Sequence, residues 1–267
     1  MNMNIQAYRD TLRSLPSPSS EVGQKAWRDY LTEHSGLPGP RGNLELAQTV
    51  ALEGNEAMFA GYLAEFTPQV APVNSPQEFL YFCGVLGLGR MVAEGKREYL
   101  EQLQRCASDP RWRTREGVAM ALQNWADPPL SSSRNQNLSA FLEEMERWIQ
   151  GNYFEQRAAM AAVCEPRLLT DPAIARRVLN LLNSITAGLA SAGDRREDSF
   201  QALRKALGYG WSVAVAAFPN EGKPAMESWL NSEDKDVRWV MKQNLKKNRL
   251  IHMDADWVRR CTVRLDE

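Results

Sequence analysis

Trp112 and Glu116 stand four positions apart in WRTREGVAMAL (112–122), which on a helix places an indole and a carboxylate one above the other. Such a pair can cradle a cation or a developing positive charge. The same residues also fit a plainer role, with Trp112 packed under a preceding hairpin and Glu116 favouring the positive end of a helix. Arg115 and Arg157 each open an apolar stripe, 115/118/122 and 157/160/164. Two guanidinium groups so placed can meet successive phosphates, or each can hold a neighbouring turn carbonyl or acid such as Asp109. Lys235, Arg238, Lys242, Lys246 and Arg249 fall on one face of a helix read through 235–249, with Lys247 beside them. That face can contact phosphates, or can supply cations matched to a helix C-terminus.

Other chemistries find little support. His34 and His252 are isolated, so no Ser/His/Asp triad can be assembled, and no His/Cys/Asp cluster has metal-ligand spacing. Neither a metal nor an organic cofactor is expected. Gly84, Gly87 and Gly89 lie inside a helical pattern with no strand before them; they predict close helix packing, not a dinucleotide loop. Cys83, Cys106, Cys164 and Cys261 are far apart and read as reduced, buried thiols of a cytoplasmic protein.

The elements that must position these residues are helices. Helical periodicity predicts segments at about 5–15, 21–33, 44–52, 55–66, 77–94, 98–106, 112–125, 138–149, 154–163, 171–190, 199–211, 223–230 and 236–245. Asn43 is the expected cap of the third, and Ser75-Pro76-Gln77-Glu78 reads as a helix start. Pro/Ser/Asn-rich 127–136 reads as a polar loop, and alternating β-branched runs are missing. Trp125, Trp148 and Trp229 sit on apolar stripes as core.

At 267 residues the chain can bury a full core, and 43% hydrophobic with 24% charged residues is ordinary for a globular protein. A net charge of -1 excludes a strongly basic nucleic-acid coat. Residues 1–100 carry 8 Lys and Arg against 11 Asp and Glu, and 101–267 carry 24 against 22, so phosphate contact must come from a local stripe. No apolar run approaches a bilayer span, and the first 15 residues are too charged for a secretory leader. No membrane contact is expected, and a monomer is.

The second helices of successive pairs resemble one another: WRTREGVAMAL, FEQRAAMAAV, ALRKALGYGW and KDVRWVMKQNL align on Arg115, Arg157, Lys205 and Arg238, spaced 42, 48 and 33 apart. Self-similarity near 40 residues, one helical hairpin per unit, predicts an all-α, HEAT-like α-solenoid of stacked antiparallel hairpins. The expected division is one solenoid over 1–267, with an N-terminal helical segment at 1–95, repeats at 96–250 and a C-terminal helix or tail at 251–267.

The stretch from about 110 to 250 resembles the bacterial DNA alkylation repair (AlkD/AlkC-type) DNA glycosylase superfamily of HEAT-like superhelices. Trp112-Arg113-Thr114-Arg115-Glu116 is similar to the motif in which a tryptophan precedes the catalytic carboxylate by four positions. Gln156-Arg157-Ala158-Ala159 is similar to a segment whose arginine contacts DNA, and Lys205-Ala206-Leu207-Gly208-Tyr209 to one whose tryptophan lines the lesion cleft. GLPGPRGN (36–43) is faintly similar to a Gly…Pro…Arg turn of the family. Glu116 replaces an aspartate of some members, Tyr209 replaces a tryptophan, and Ser212 falls where a second DNA-contacting arginine is expected. The resemblance implies excision of N3- or N7-alkylated purines from double-stranded DNA. Glu116 would be catalytic and Trp112 and Tyr209 would line the lesion cleft. Arg157, Lys205, Arg115, Lys235, Arg238, Lys242 and Lys246 would contact DNA. The alternative is a non-catalytic HEAT scaffold that binds a protein or peptide on its concave face.

Overall fold

The computed structural model describes residues 3–128 and 134–266, and every regular element among them is helical. The middle of the expected 127–136 loop lies outside the described residues. The chain divides into two compact units, Met1–Asn137 and Leu138–Glu267.

The first unit holds α1 (Met3–Ser14), α2 (Glu21–Glu33), α3 (Leu44–Glu53), α4 (Glu56–Glu65), α5 (Glu78–Ala93), α6 (Tyr99–Ala107) and α7 (Trp112–Ala126). Caps set the starts that the sequence announces. Ser20, Asn43 and Asn55 accept the backbone N–H three positions on, and Ser75 Oγ accepts from Glu78 N–H at 3.2 Å. Most of α5 is buried, and it packs against α2, α3, α4, α6 and α7. Its glycines make this approach feasible, as expected. A Cβ at Gly87 would meet the Phe59 ring at 2.4 Å, and one at Gly89 would meet the Ala121 carbonyl oxygen at 2.3 Å.

The second unit begins within α8 (Arg134–Trp148) and holds α9 (Tyr153–Val163), a 3-10 turn (Pro166–Leu168), α10 (Pro172–Ala190), α11 (Asp198–Ala217), α12 (Pro219–Glu227), α13 (Lys235–Leu245), α14 (Asn248–Met253) and α15 (Ala255–Asp266). Here α11 is the centre, packed on α9, α10, α12, α13 and α14. It runs six residues beyond the expected 199–211. Burial of Val213, Ala214 and Val215 holds a stretch whose valines and flanking glycines weaken the local helical signal. Pro219 begins α12 earlier than expected because its fixed φ suits a first helical position. In both units helices pack chiefly on the next and next-but-one helix. Trp125 and Trp148 are buried, whereas Trp229 is half-buried with its indole N–H donating to Asn183 at 2.8 Å. All four cysteines are buried and free.

Candidate functional site

The start of α7 is held from outside the helix. Arg111, 1% exposed, pairs with Asp109 at 2.8 Å and donates to the Phe66 and Ala71 carbonyls at 2.9 and 3.1 Å. Arg115 Nη1 donates to the Asp109 and Pro110 carbonyls at 2.6 and 3.0 Å, which is the turn-holding role open to it from its position. With the turn fixed, the first face of α7 carries Trp112, 44% exposed, and Glu116, also exposed.

Trp112 and Glu116 line the same cavity. It measures about 240 Å³ and lies wholly within the first unit. The α7 side is completed by Arg113 and Met120, Phe79 and Phe82 of α5 add an apolar surface, and Leu37, Pro40, Arg41, Gly42 and Leu44 supply the rest. The walls are mostly apolar, with an indole, one carboxylate and the guanidinium groups of Arg41 and Arg113, a lining that suits a flat ring. The Arg113 guanidinium lies 4.5 Å from the centroid of the Trp112 ring. Spacing on α7 was enough to pair Trp112 with Glu116. The aromatic surface was missed because Phe79 and Phe82 carry only a core-helix pattern.

The remaining expected site residues belong to the second unit. Arg157 is half-buried on α9, and Lys205 and Tyr209 are exposed one turn apart on α11. The Tyr209 ring, 44% exposed, has the Arg249 guanidinium 4.6 Å and the Lys247 ammonium 5.7 Å from its centroid. Arg249 Nη2 also donates to the Tyr209 hydroxyl. Asn244 secures this region from below. Its amide donates to the Leu207 carbonyl at 2.8 Å and accepts from the Ser212 N–H at 2.8 Å, bracketing Tyr209.

Lys235, Lys242 and Lys246 are exposed, but the face expected through 235–249 is interrupted. α13 ends at Leu245, Lys246 and Lys247 form a break, and Arg249 sits on α14. Arg238 is half-buried and donates to the Leu265 carbonyl in the last turn of α15. Nearby, burial pushes the Cys164 thiol up to about 12, which leaves it protonated and unreactive at neutral pH. Asp234 sits below the usual carboxylate range: burial opposes ionisation, and the Arg195 guanidinium with two backbone N–H groups outweighs it.

Among the described residues no group of three His, Cys, Asp or Glu could hold a metal ion, and no helix is long and apolar enough to cross a membrane. No family model matches the chain, and no curated protein or solved structure matches it either.

Proposed function

We propose that the chain is a HEAT-repeat DNA-binding protein related to alkylpurine DNA glycosylases, with the Trp112–Glu116 cavity as its base-recognising site. The observation that carries this reading is the shared cavity: the two residues paired by spacing line one hollow with an aromatic surface. Packing of each helix on its next and next-but-one neighbour supports a HEAT-like stack.

The chemistry follows from those groups. Alkylation at N3 or N7 makes a purine cationic and weakens its glycosidic bond. As the carbon–nitrogen bond breaks, its electron pair leaves with the purine and positive charge develops on the sugar. The Glu116 carboxylate would stabilise that charge, place the water that adds to the sugar carbon, and accept the proton that the water loses. The exposed Lys205, Lys235, Lys242 and Lys246, with Arg157, would contact phosphates. No metal or organic cofactor enters.

The test is base release from alkylated duplex DNA. Wild type should release alkylpurine, and Glu116→Gln should lower the rate by about a hundredfold or more, the loss typical of removing one preorganised charge-stabilising group. An interaction scaffold is the second reading. It is favoured by the backbone carbonyls that Arg115 and Arg238 bind and by the two cations already over Tyr209. Salt-insensitive DNA binding and no base release would decide for it.

A further inference from the structure

One wall of the cavity comes from the 36–43 loop, which is fastened to α7 through the Gly39 peptide. The Gly39 N–H donates to Asn74 Oδ1 at 3.0 Å, and the Gly39 carbonyl accepts from Arg113 Nη2 at 2.6 Å. Asn74 and Arg113 are themselves joined at 3.2 Å. Glu78, 0% exposed, completes the clamp by accepting from Arg113 Nη1 at 3.3 Å and from the Asn74 N–H at 2.6 Å. Asn74 adopts a left-handed φ of 68°, which turns its amide and side chain towards both partners. A Cβ at Gly39 would lie 2.4 Å from the Gly36 carbonyl oxygen, so the clamped position requires glycine. Arg113 therefore spans the site. Its neighbour Trp112 faces the cavity, while its own guanidinium stacks on Trp112 and grips the loop.

We propose that Arg113 is a positioning residue: through the Gly39 peptide, and with Asn74 and Glu78, it holds the 36–43 loop against α7 and so sets the width of the cavity faced by Trp112 and Glu116. The inference concerns the cavity of the proposed function but does not depend on the identity of its occupant. A guanidinium suits the task because its planar fork reaches a carboxylate, an amide oxygen and a peptide carbonyl at once, which a lysine ammonium cannot reproduce from the same stem.

The experiment uses the full chain and two variants. Arg113→Lys keeps the charge that compensates buried Glu78 and loses the fork. Asn74→Gly keeps the left-handed backbone and loses the side-chain link to Gly39. Each is digested briefly with trypsin, and cleavage after exposed Arg41 is followed by mass. Circular dichroism establishes that the helices remain. Cleavage after Arg41 should be about tenfold faster in both variants, because proteolysis of an opened segment follows its open population. Trp112 emission, taken as the difference from the matching Trp112→Phe protein, should become more quenchable by acrylamide, while the other seven tryptophans should not. Unchanged cleavage and unchanged Trp112 quenching in folded variants would overturn the clamp. Increased quenching of all tryptophans would overturn it as well, since that reports general loosening. If the variants loosen the loop but wild type releases no base, the clamp stands and the glycosylase reading fails.

Discussion

The two units differ in how deeply they bury their arginines: Arg111 and Arg113 are buried in the first, and among the described residues no arginine is buried in the second. In the first, Arg9, Arg13 and Arg28 pair with acids, and four further guanidinium groups bind backbone carbonyls. Arg90 donates to those of Ala51, Leu52 and Gly54, Arg111 to Phe66 and Ala71, Arg113 to Gly39, and Arg115 to Asp109 and Pro110. They fix helix ends and, through Gly39, the loop beside the cavity that Trp112 and Glu116 line. In the second, half-buried arginines serve acids and carbonyls alike: Arg195 pairs with Asp234 and Asp236 and donates to the Ala190 carbonyl, Arg204 pairs with Asp236 and Arg238 donates to the Leu265 carbonyl, while Lys205, Lys235, Lys242 and Lys246 are exposed. Arg196, Arg259, Arg260 and Arg264 are exposed there as well, so the second unit presents both kinds of cation at its surface. The proposed division of labour, a cavity that selects and a surface that holds, rests on the Trp112–Glu116 cavity and the exposed lysines.

The units also differ in how closely their central helices are packed, and this gives the largest expected effect. Gly89 of α5 faces the Ala121 backbone, whereas Gly210 of α11 faces the flexible end of Met160. Gly89→Ala should therefore cost about 3 kcal/mol or more in chemical denaturation, and Gly210→Ala about 1 kcal/mol or less, as overpacking against backbone cannot relax and a methionine can move. Equal losses would break the comparison. At Gly188 of α10 an added Cβ would meet nothing within 4 Å, so Gly188→Ala should stabilise by about 0.5 to 1 kcal/mol.

Next in size is Asn244→Ala in the second unit. It leaves the Leu207 carbonyl and Ser212 N–H without their buried partner. A loss of about 2 kcal/mol is expected in the same measurement, with displacement of Tyr209 read from its amide chemical shift. The lysine surface is tested by the salt dependence of duplex DNA binding. Each of Lys205→Ala, Lys242→Ala and Lys246→Ala should weaken binding at all sequences and reduce the slope of log affinity against log salt by about one. Slopes unchanged in all three would remove phosphate contact from the second unit.

The smallest effect is electrostatic and local to the first unit. Burial works against ionisation of Glu53, but hydrogen bonds from Arg13 and Arg9 prevail and hold its carboxyl below the ordinary value of 4.5. A lowered folded-state pKa means stability that is present above the unfolded value and lost as pH falls through the folded one. Acid titration of stability should be shallower in Glu53→Gln than in wild type, with no difference at neutral pH beyond the constant cost of the substitution.

Much of the secondary structure was legible because caps and periodicity agree. Apolar periodicity placed α2 at 21–33, where it lies, and Asn43 marked the start of α3. The pairing of Trp112 with Glu116 was legible for the same reason, since both belong to one helix. Arg238 and Arg249 were not. Whether a cation meets solvent or a carbonyl depends on what packs beside it, and Leu265 and Tyr209 are distant in sequence. The clamp on Gly39 was hidden for that reason too: Arg113 and Gly39 are 74 residues apart.

The most direct test of the central claim, that the Trp112–Glu116 cavity receives an alkylated base, is titration with duplex DNA carrying a single N7-methylguanine. Emission from Trp112, isolated by subtraction of the Trp112→Phe protein, should be quenched by the methylated duplex and much less by the unmodified duplex of the same sequence. Identical responses to the two duplexes, or binding that leaves Trp112 emission unchanged, would contradict it.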